Sequence, residues 1–144
     1  SVMTYNEYWQ LIDAGYKPED LVVFNYTAMG VDLLEDGLYA MEDKLKDPAF
    51  EEKMVKFVRA SMKGWKYATE NPDEAAGIVV EAGGQDENHQ KRMVGEVAKL
   101  IDNADGKLIE AAYKRTADAL LAQKIITKEP TGAWTSAITD KAIK

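Results

Sequence analysis

The chain has 144 residues, of which 46% are hydrophobic and 30% are charged, so it is long and apolar enough for a globular domain with its own core. Its formal net charge of −7 argues against nucleic acid as a partner, because that affinity comes largely from Lys and Arg contacts to phosphates. The absence of cysteine excludes disulfides, Cys-ligated zinc, iron–sulfur clusters and a thiol nucleophile within the chain.

The first forty residues predict one helix and one or two short strands. Thr4 and Glu7 have the spacing of a capping box, and Gly15 is typical of a residue that follows a helix end. The apolar run 21–24 predicts a buried strand, and a second short strand is expected at 38–41.

From residue 47 onward the pattern is almost wholly helical. The helix that begins there is expected to end near residue 70, and three further helices and a short C-terminal one follow. Their positions are indicated by Asn or Asp caps, by prolines at first helical positions and by terminal glycines. In chain order, these signals are Asp47-Pro48, Asn71-Pro72, Gly83-Gly84 and Asp86.

Two short strands at the start of a helical chain are an unusual combination, because two short strands alone do not form a stable sheet. We therefore expect them to pair with strands of an N-terminal portion of a larger protein. Their unpaired edges also predict that the fragment associates with another copy of itself. No apolar run approaches the roughly 20 residues that a transmembrane helix needs.

Three strings between Leu34 and Val80 resemble the type II periplasmic substrate-binding proteins, in the branch related to synthesis and uptake of a thiamine-pyrimidine precursor. They read L-E-D-G-L-Y-A, D-P-A-F-E-E-K-M-V-K-F-V-R-A-S-M-K-G-W-K-Y-A and N-P-D-E-A-A-G-I-V. The most specific part is R-A-x-x-x-G-W-x-Y-A-x-x-N-P-x-x-A-A, from Arg59 to Ala76. The opening M-T-Y-N-E and the closing I-T-K-E-P-T-G-A-W are similar to that branch as well.

The resemblance covers nearly the whole chain but corresponds to the second half of such a protein. It implies an α/β fold of two lobes that close on a ligand around a hinge, with this chain as a mainly α-helical fragment that contains one or two short strands. Residues 1–30 would form the end of the second lobe and the hinge crossover. Residues 31–144 would form the C-terminal helical part, which packs on the first lobe.

Five residues are candidates for ligand contact. The resemblance implies that the stretch around Asn6 and Glu7 faces the cleft, where a carboxylate, an amide and the flat ring of Tyr5 suit a polar heteroaromatic ring. The alternative is that Glu7 only closes the capping box. Asn25 and Tyr26 follow the predicted strand, at the end where open α/β sheets bind ligands, and the alternative for them is an ordinary turn.

No catalytic residue, metal ligand or cofactor is predicted. His89 is the only histidine, and we expect it to be exposed, because nothing in the sequence suggests a Ser/His/Asp arrangement around it. Trp65 continues an apolar helical stripe and is expected in the core.

The resemblance implies the solute-binding component of an ABC transporter, and not an enzyme. Such a protein captures a small polar or heteroaromatic molecule by lobe closure and delivers it to membrane permease subunits. The ligand classes are a pyrimidine precursor, a flavin-like ring or a sulfonate, and the location is periplasmic or extracytoplasmic, with or without a lipid anchor. One alternative is the iron-dependent pyrimidine-precursor synthase of the same fold, although its Cys-rich motif is absent here. The other is a stand-alone helical domain that binds a partner protein.

Overall fold

The computed structural model describes all residues, 1–144, and is 58% helical with no strand. Seven α-helices and one short 3₁₀ turn at Pro18–Asp20 make up the regular structure. The helices are α1 (Glu7–Asp13), α2 (Glu42–Leu45), α3 (Pro48–Glu70), α4 (Pro72–Gly83), α5 (Glu87–Ile101), α6 (Glu110–Ala122) and α7 (Ala137–Ala142).

The α/β prediction is wrong, because neither apolar run forms a strand. Residues 21–24 and 38–41 are irregular and their side chains are exposed, with Val22 at 84% and Tyr39 at 88%. A strand requires a neighbour for its N–H and C=O groups, and neither run finds one in this chain. The mainly helical character was predicted correctly.

Three predicted boundary signals from residue 47 onward act at helix ends, whereas the Asn71 side chain makes no capping bond at the start of α4. The Asp47 side chain accepts a hydrogen bond from the backbone N–H of Ala49 at 3.0 Å, and α3 ends at Glu70, as predicted. The α4 helix is followed by Gly84 in the left-handed conformation, with a φ of 66°. Asp86 caps α5 by accepting a hydrogen bond from the backbone N–H of His89 at 2.8 Å.

The first helix begins later than the capping-box spacing predicts. Its first residue is Glu7, whose Oε2 accepts a hydrogen bond from the backbone N–H of Met3 at 2.7 Å. Glu7 therefore does satisfy an upstream backbone donor, but that donor belongs to Met3 and not to Thr4. Gly15 follows the helix with a φ of 99°, as a residue after a helix end.

The chain forms two compact units, and α3 contributes to both. Unit 1 comprises Ser1–Val23 and Ala60–Ala104 and therefore contains α1, α4 and α5. Its closest helix pair is α4 with α5. Ala75 and Ala76 are buried on α4, and their small side chains allow close approach of a neighbouring backbone.

Unit 2 comprises Phe24–Arg59 and Asp105–Lys144 and contains α2, α6 and α7. Arg59 donates hydrogen bonds to the carbonyl oxygens of Ala142 and Lys141, each at 2.9 Å, and so satisfies carbonyls at the C-terminal end of α7. This contact holds the end of α7 against α3. The buried apolar residues of this unit are Val55, Ala112, Ala117 and Ala142.

Two polar contacts attach the irregular segment after residue 30 to α6. The Nε of Arg115 donates to the carbonyl oxygen of Asp32 at 2.8 Å, and the backbone N–H of Leu34 donates to Oγ1 of Thr116 at 2.9 Å. These bonds satisfy backbone groups of a segment that forms no helix or strand.

Candidate functional site

A solvent-open cleft of ≈ 750 Å³ lies in unit 1, at the C-terminal half of α1 and the first turns of α5. Its lining contains two carboxylates, one guanidinium, one imidazole and three amides. The lining residues are Gln10, Asp13, Gln85, Asp86, Asn88, His89 and Arg92.

His89 is buried at the wall of this cleft, with 6% of its surface exposed, so the prediction of an exposed histidine is wrong. The capping bond from Asp86 fixes its backbone at the start of α5. Its ring then reaches α1, where Nε2 lies 2.9 Å from Oδ1 of Asn6. This contact ties the start of α1 to the start of α5.

The hydrogen-bond partners assign the tautomer of His89. The Asn6 Oδ1 atom can only accept, so in the neutral ring Nε2 carries the hydrogen and Nδ1 carries a lone pair. Nδ1 is buried without a hydrogen-bond partner and lies 3.7 Å from Oδ2 of Asp13. If Nδ1 is protonated as well, the ring forms an ion pair with this carboxylate.

Asp13 is held by Arg92, whose Nη1 donates to Asp13 Oδ1 at 2.7 Å. This bond holds the pKa of Asp13 below its usual range, and a protonated His89 ring acts in the same direction. The Arg92 guanidinium also lies 4.9 Å from the ring centroid of Trp9, in cation–π range. Tyr8 packs edge-on against Trp9 with centroids 5.2 Å apart, and the buried Nε1 of Trp9 has no hydrogen-bond partner.

Of the three candidates at the start of the chain, Asn6 takes part in this cluster through its bond to His89. Glu7 turns back to the backbone of Met3, and that bond lowers the pKa of its carboxyl. Tyr5 is half-buried and does not line the cleft. Ligand contact by these residues stays a prediction.

The other two candidates lie in unit 2. The Asn25 side chain accepts a hydrogen bond from the backbone N–H of Ala28 at 2.9 Å, and so stabilises the turn that the alternative interpretation described. Tyr26 is 55% exposed. No contact in the structure assigns either residue to a ligand, and their role also stays a prediction.

Sequence reasoning missed Asp13, His89 and Arg92, although one signal was available for the histidine. His89, Met93 and Val97 follow each other at intervals of four residues, so the histidine continues the face of α5 that packs against the rest of unit 1. A polar residue on such a face has to find a partner, and here that partner is Asn6.

Nowhere in the structure do three or more His, Asp or Glu side chains come together in a way that could hold a metal ion. None of the seven helices combines the length and the apolar character needed to cross a membrane.

The sequence comparison supports a substrate-binding-protein-like domain. The family described as NMT1/THI5 like matches residues 1–75, just over half of the chain, so the chain belongs to this family. The matched region includes Asn6 and Asp13 and ends before His89 and Arg92. No curated protein and no solved structure matches the chain.

Proposed function

We propose that this chain binds a small polar or heteroaromatic molecule as part of the solute-binding component of an ABC importer. The observation that carries the proposal is the NMT1/THI5 like match, which indicates a small-molecule binder related to thiamine precursors. The cleft of unit 1 supports it, because two lining residues, Gln10 and Asp13, fall within the matched region, as does Asn6, which contacts His89.

The lining chemistry is suited to binding a polar ligand. Amides can donate and accept at once, and a carboxylate accepts from more than one donor, so the cleft can orient a polar ligand. Binding without making or breaking a covalent bond is all that the proposal requires.

The charges of the cleft narrow the ligand classes. Asp13 and Asp86 contribute two negative charges, and Arg92 contributes one positive charge that Asp13 already engages. A sulfonate would meet a net negative lining, whereas a neutral ring with N–H donors or a cation would be attracted. Among the three predicted classes, the proposal therefore favours the pyrimidine-precursor type.

In this proposal the ligand is enclosed by lobe closure and passed to permease subunits, outside the cytoplasm. The remaining contacts would come from an N-terminal portion of the same protein. Asn25 and Tyr26 would contribute as a second group of ligand contacts, separate from the cleft of unit 1.

The proposal is tested by a thermal-shift screen of the chain against polar and heteroaromatic compounds. A compound that binds only the folded state raises the melting temperature. At a concentration a hundredfold above its Kd, it adds about 2.7 kcal/mol to the free energy of unfolding. Asn6→Ala and Asp13→Asn are expected to reduce the shift, and Asn25→Ala tests the contact predicted in unit 2.

The matched control is Gln123→Ala, which changes an amide at the end of α6, in unit 2. It should leave the ligand-induced shift unchanged. The proposal fails if no compound raises the melting temperature. It also fails if the shift persists in the Asn6, Asp13 and Asn25 variants.

A further inference from the structure

With the His89 ring neutral, its Nδ1 lone pair and the Asp13 carboxylate are two hydrogen-bond acceptors that face each other across a gap without a donor. His89 Nδ1 is buried, unpartnered and 3.7 Å from Asp13 Oδ2, while the Asn6 bond keeps the ring hydrogen on the opposite nitrogen. The His89 side chain is only 7% exposed, so bulk water does not satisfy this lone pair. A buried acceptor without a donor destabilises the folded state, and a ligand that donates a hydrogen bond to it removes this penalty.

A group with at least two N–H bonds satisfies both acceptors at once. It can sit beside the line between the two atoms and donate one hydrogen to each. A carbonyl, a carboxylate or a phosphate cannot, because each would add a third acceptor. The geometry therefore specifies a donor-rich head group.

The charges around the gap favour a cationic donor. Asp13 stays ionised because Arg92 lowers its pKa, and with Asp86 as a second carboxylate the lining is net negative even when the positive charge of Arg92 is counted. Hydrogen bonds from a cation to a carboxylate are about twice as strong as those between neutral groups. A metal ion fits less well, because no third His, Asp or Glu joins the pair.

We propose that Asp13 and His89 form a paired acceptor for the primary ammonium group of a small organic amine. This inference rests on the proposed function, since it assigns the ligand chemistry of the same cleft. Because the Nδ1 atom is buried, the head group reaches it only when the Asp13 side chain, which is 44% exposed, moves aside to admit it. The amides of Gln10 and Asn88 then face the remainder of the molecule.

The single histidine makes the test direct, because the chain has one imidazole ¹⁵N signal pair. Where the ring is neutral, its ¹⁵N spectrum should place the hydrogen on Nε2. Titration with n-butylammonium chloride should then move the Nδ1 resonance to a saturating value. The matched ligand is trimethylbutylammonium chloride, which has the same charge without N–H groups and should not move it.

Asp13→Asn removes the charge and should weaken butylammonium binding roughly tenfold or more. Glu81→Gln removes an exposed carboxylate of α4 that does not line the cleft, and it should have no effect. A ring that is already protonated on Nδ1, an absent response, or an equal response to the quaternary ion overturns the inference. These outcomes are read on the unmodified chain and do not depend on the folding of a variant.

The two proposals fail separately. A solute found by thermal shift that binds at the cleft but has no N–H donor removes the ammonium inference and leaves the proposed function. A saturating response of His89 to butylammonium, with no solute found in the screen, removes the proposed function and leaves the ammonium site.

Discussion

Arg92 links the charge of the cleft to the ring of Trp9. Its guanidinium bonds Asp13 at 2.7 Å and lies over Trp9 at 4.9 Å, so one side chain positions both. Arg92 is about one-third exposed, and solvent therefore screens part of the interaction with Asp13. We expect its main effect on the titration and orientation of Asp13 rather than on global stability.

Replacing Arg92 by Gln should raise the pKa of Asp13 toward its ordinary value of 3.8. Because the folded-state pKa is lowered, the stabilisation that Asp13 provides is present above that ordinary value and is lost as the pH falls through the lower folded value. In the Arg92→Gln variant, the stability that is lost on acidification through the Asp13 titration should be smaller. Carboxyl ¹³C NMR titration measures the change in pKa.

Glu7 is an internal control in the same spectra. Its pKa is lowered by the backbone N–H of Met3, which the substitution does not touch. It should therefore titrate as in the unmodified chain. An Asp13 pKa that does not rise, or a Glu7 pKa that rises with it, would contradict the assigned cause.

The sequence could indicate Asn6 but not its partner. A family resemblance implied a polar residue facing a cleft at the start of the chain, and Asn6 does contact a residue that lines the cleft. His89 lies 83 residues further on, and no local pattern states which distant residue a side chain meets. The four-residue spacing of α5 could have indicated that His89 is buried, but not that Asn6 accepts its hydrogen bond.

Gly84 determines where α4 ends. It adopts a φ of 66°, and a Cβ added there meets no atom within 4 Å, so any cost of a side chain comes from the backbone conformation alone. Gly77 lies inside the same helix, also with nothing within 4 Å of an added Cβ. Alanine substitutions at the two glycines therefore compare a left-handed with a helical backbone position, without a change in packing at either.

Gly84→Ala should lower the free energy of unfolding by about 1–2 kcal/mol, the cost of a left-handed residue with a side chain. Gly77→Ala should raise it by roughly 0.5–1 kcal/mol, because alanine is the better helix former. Urea denaturation of both variants measures the difference. Effects of the same sign would show that α4 does not end at Gly84 as described.

Helix positions were predictable because caps and terminal glycines act on neighbours in sequence. Asp47, Asp86 and Gly84 each do in the structure what their residue type predicts. The strands were not predictable in the same way. An apolar run such as 21–24 suits a strand only if another strand pairs with it, and that requirement is non-local.

The same limit applies to Trp65, which the apolar stripe of α3 assigned to the core. It is 50% exposed, as is Phe57 on the same helix. A helical stripe shows which side chains share a face, and it does not show whether a partner covers that face. Self-association of the chain stays a prediction.

The exposed irregular segment should be the first part of the whole chain to be cut by a protease. Between residues 21 and 41 the backbone has neither helix nor strand, and Phe24, Tyr26 and Tyr39 are 55% exposed or more. Chymotrypsin is expected to cleave there first, since proteases act on locally unfolded backbone. Trypsin has no site between Lys17 and Lys44 and should cut elsewhere.

Phe57 and Trp65 provide the control within the same digest. Both are half-exposed, but their backbone lies in α3, so chymotrypsin should reach them later. Mass spectrometry of early fragments distinguishes the two outcomes. Early cleavage at Phe57 or Trp65, with residues 21–41 intact, would contradict the irregular, exposed backbone described for this segment.

The most direct test of ligand binding in unit 1 is a two-dimensional ¹H–¹⁵N NMR titration of the chain with the best compound from the thermal-shift screen. The account predicts saturating shifts concentrated at Asn6, Asp13, His89 and Arg92, with small changes in unit 2. Shifts confined to unit 2, or no saturating shift at those four residues, would contradict it.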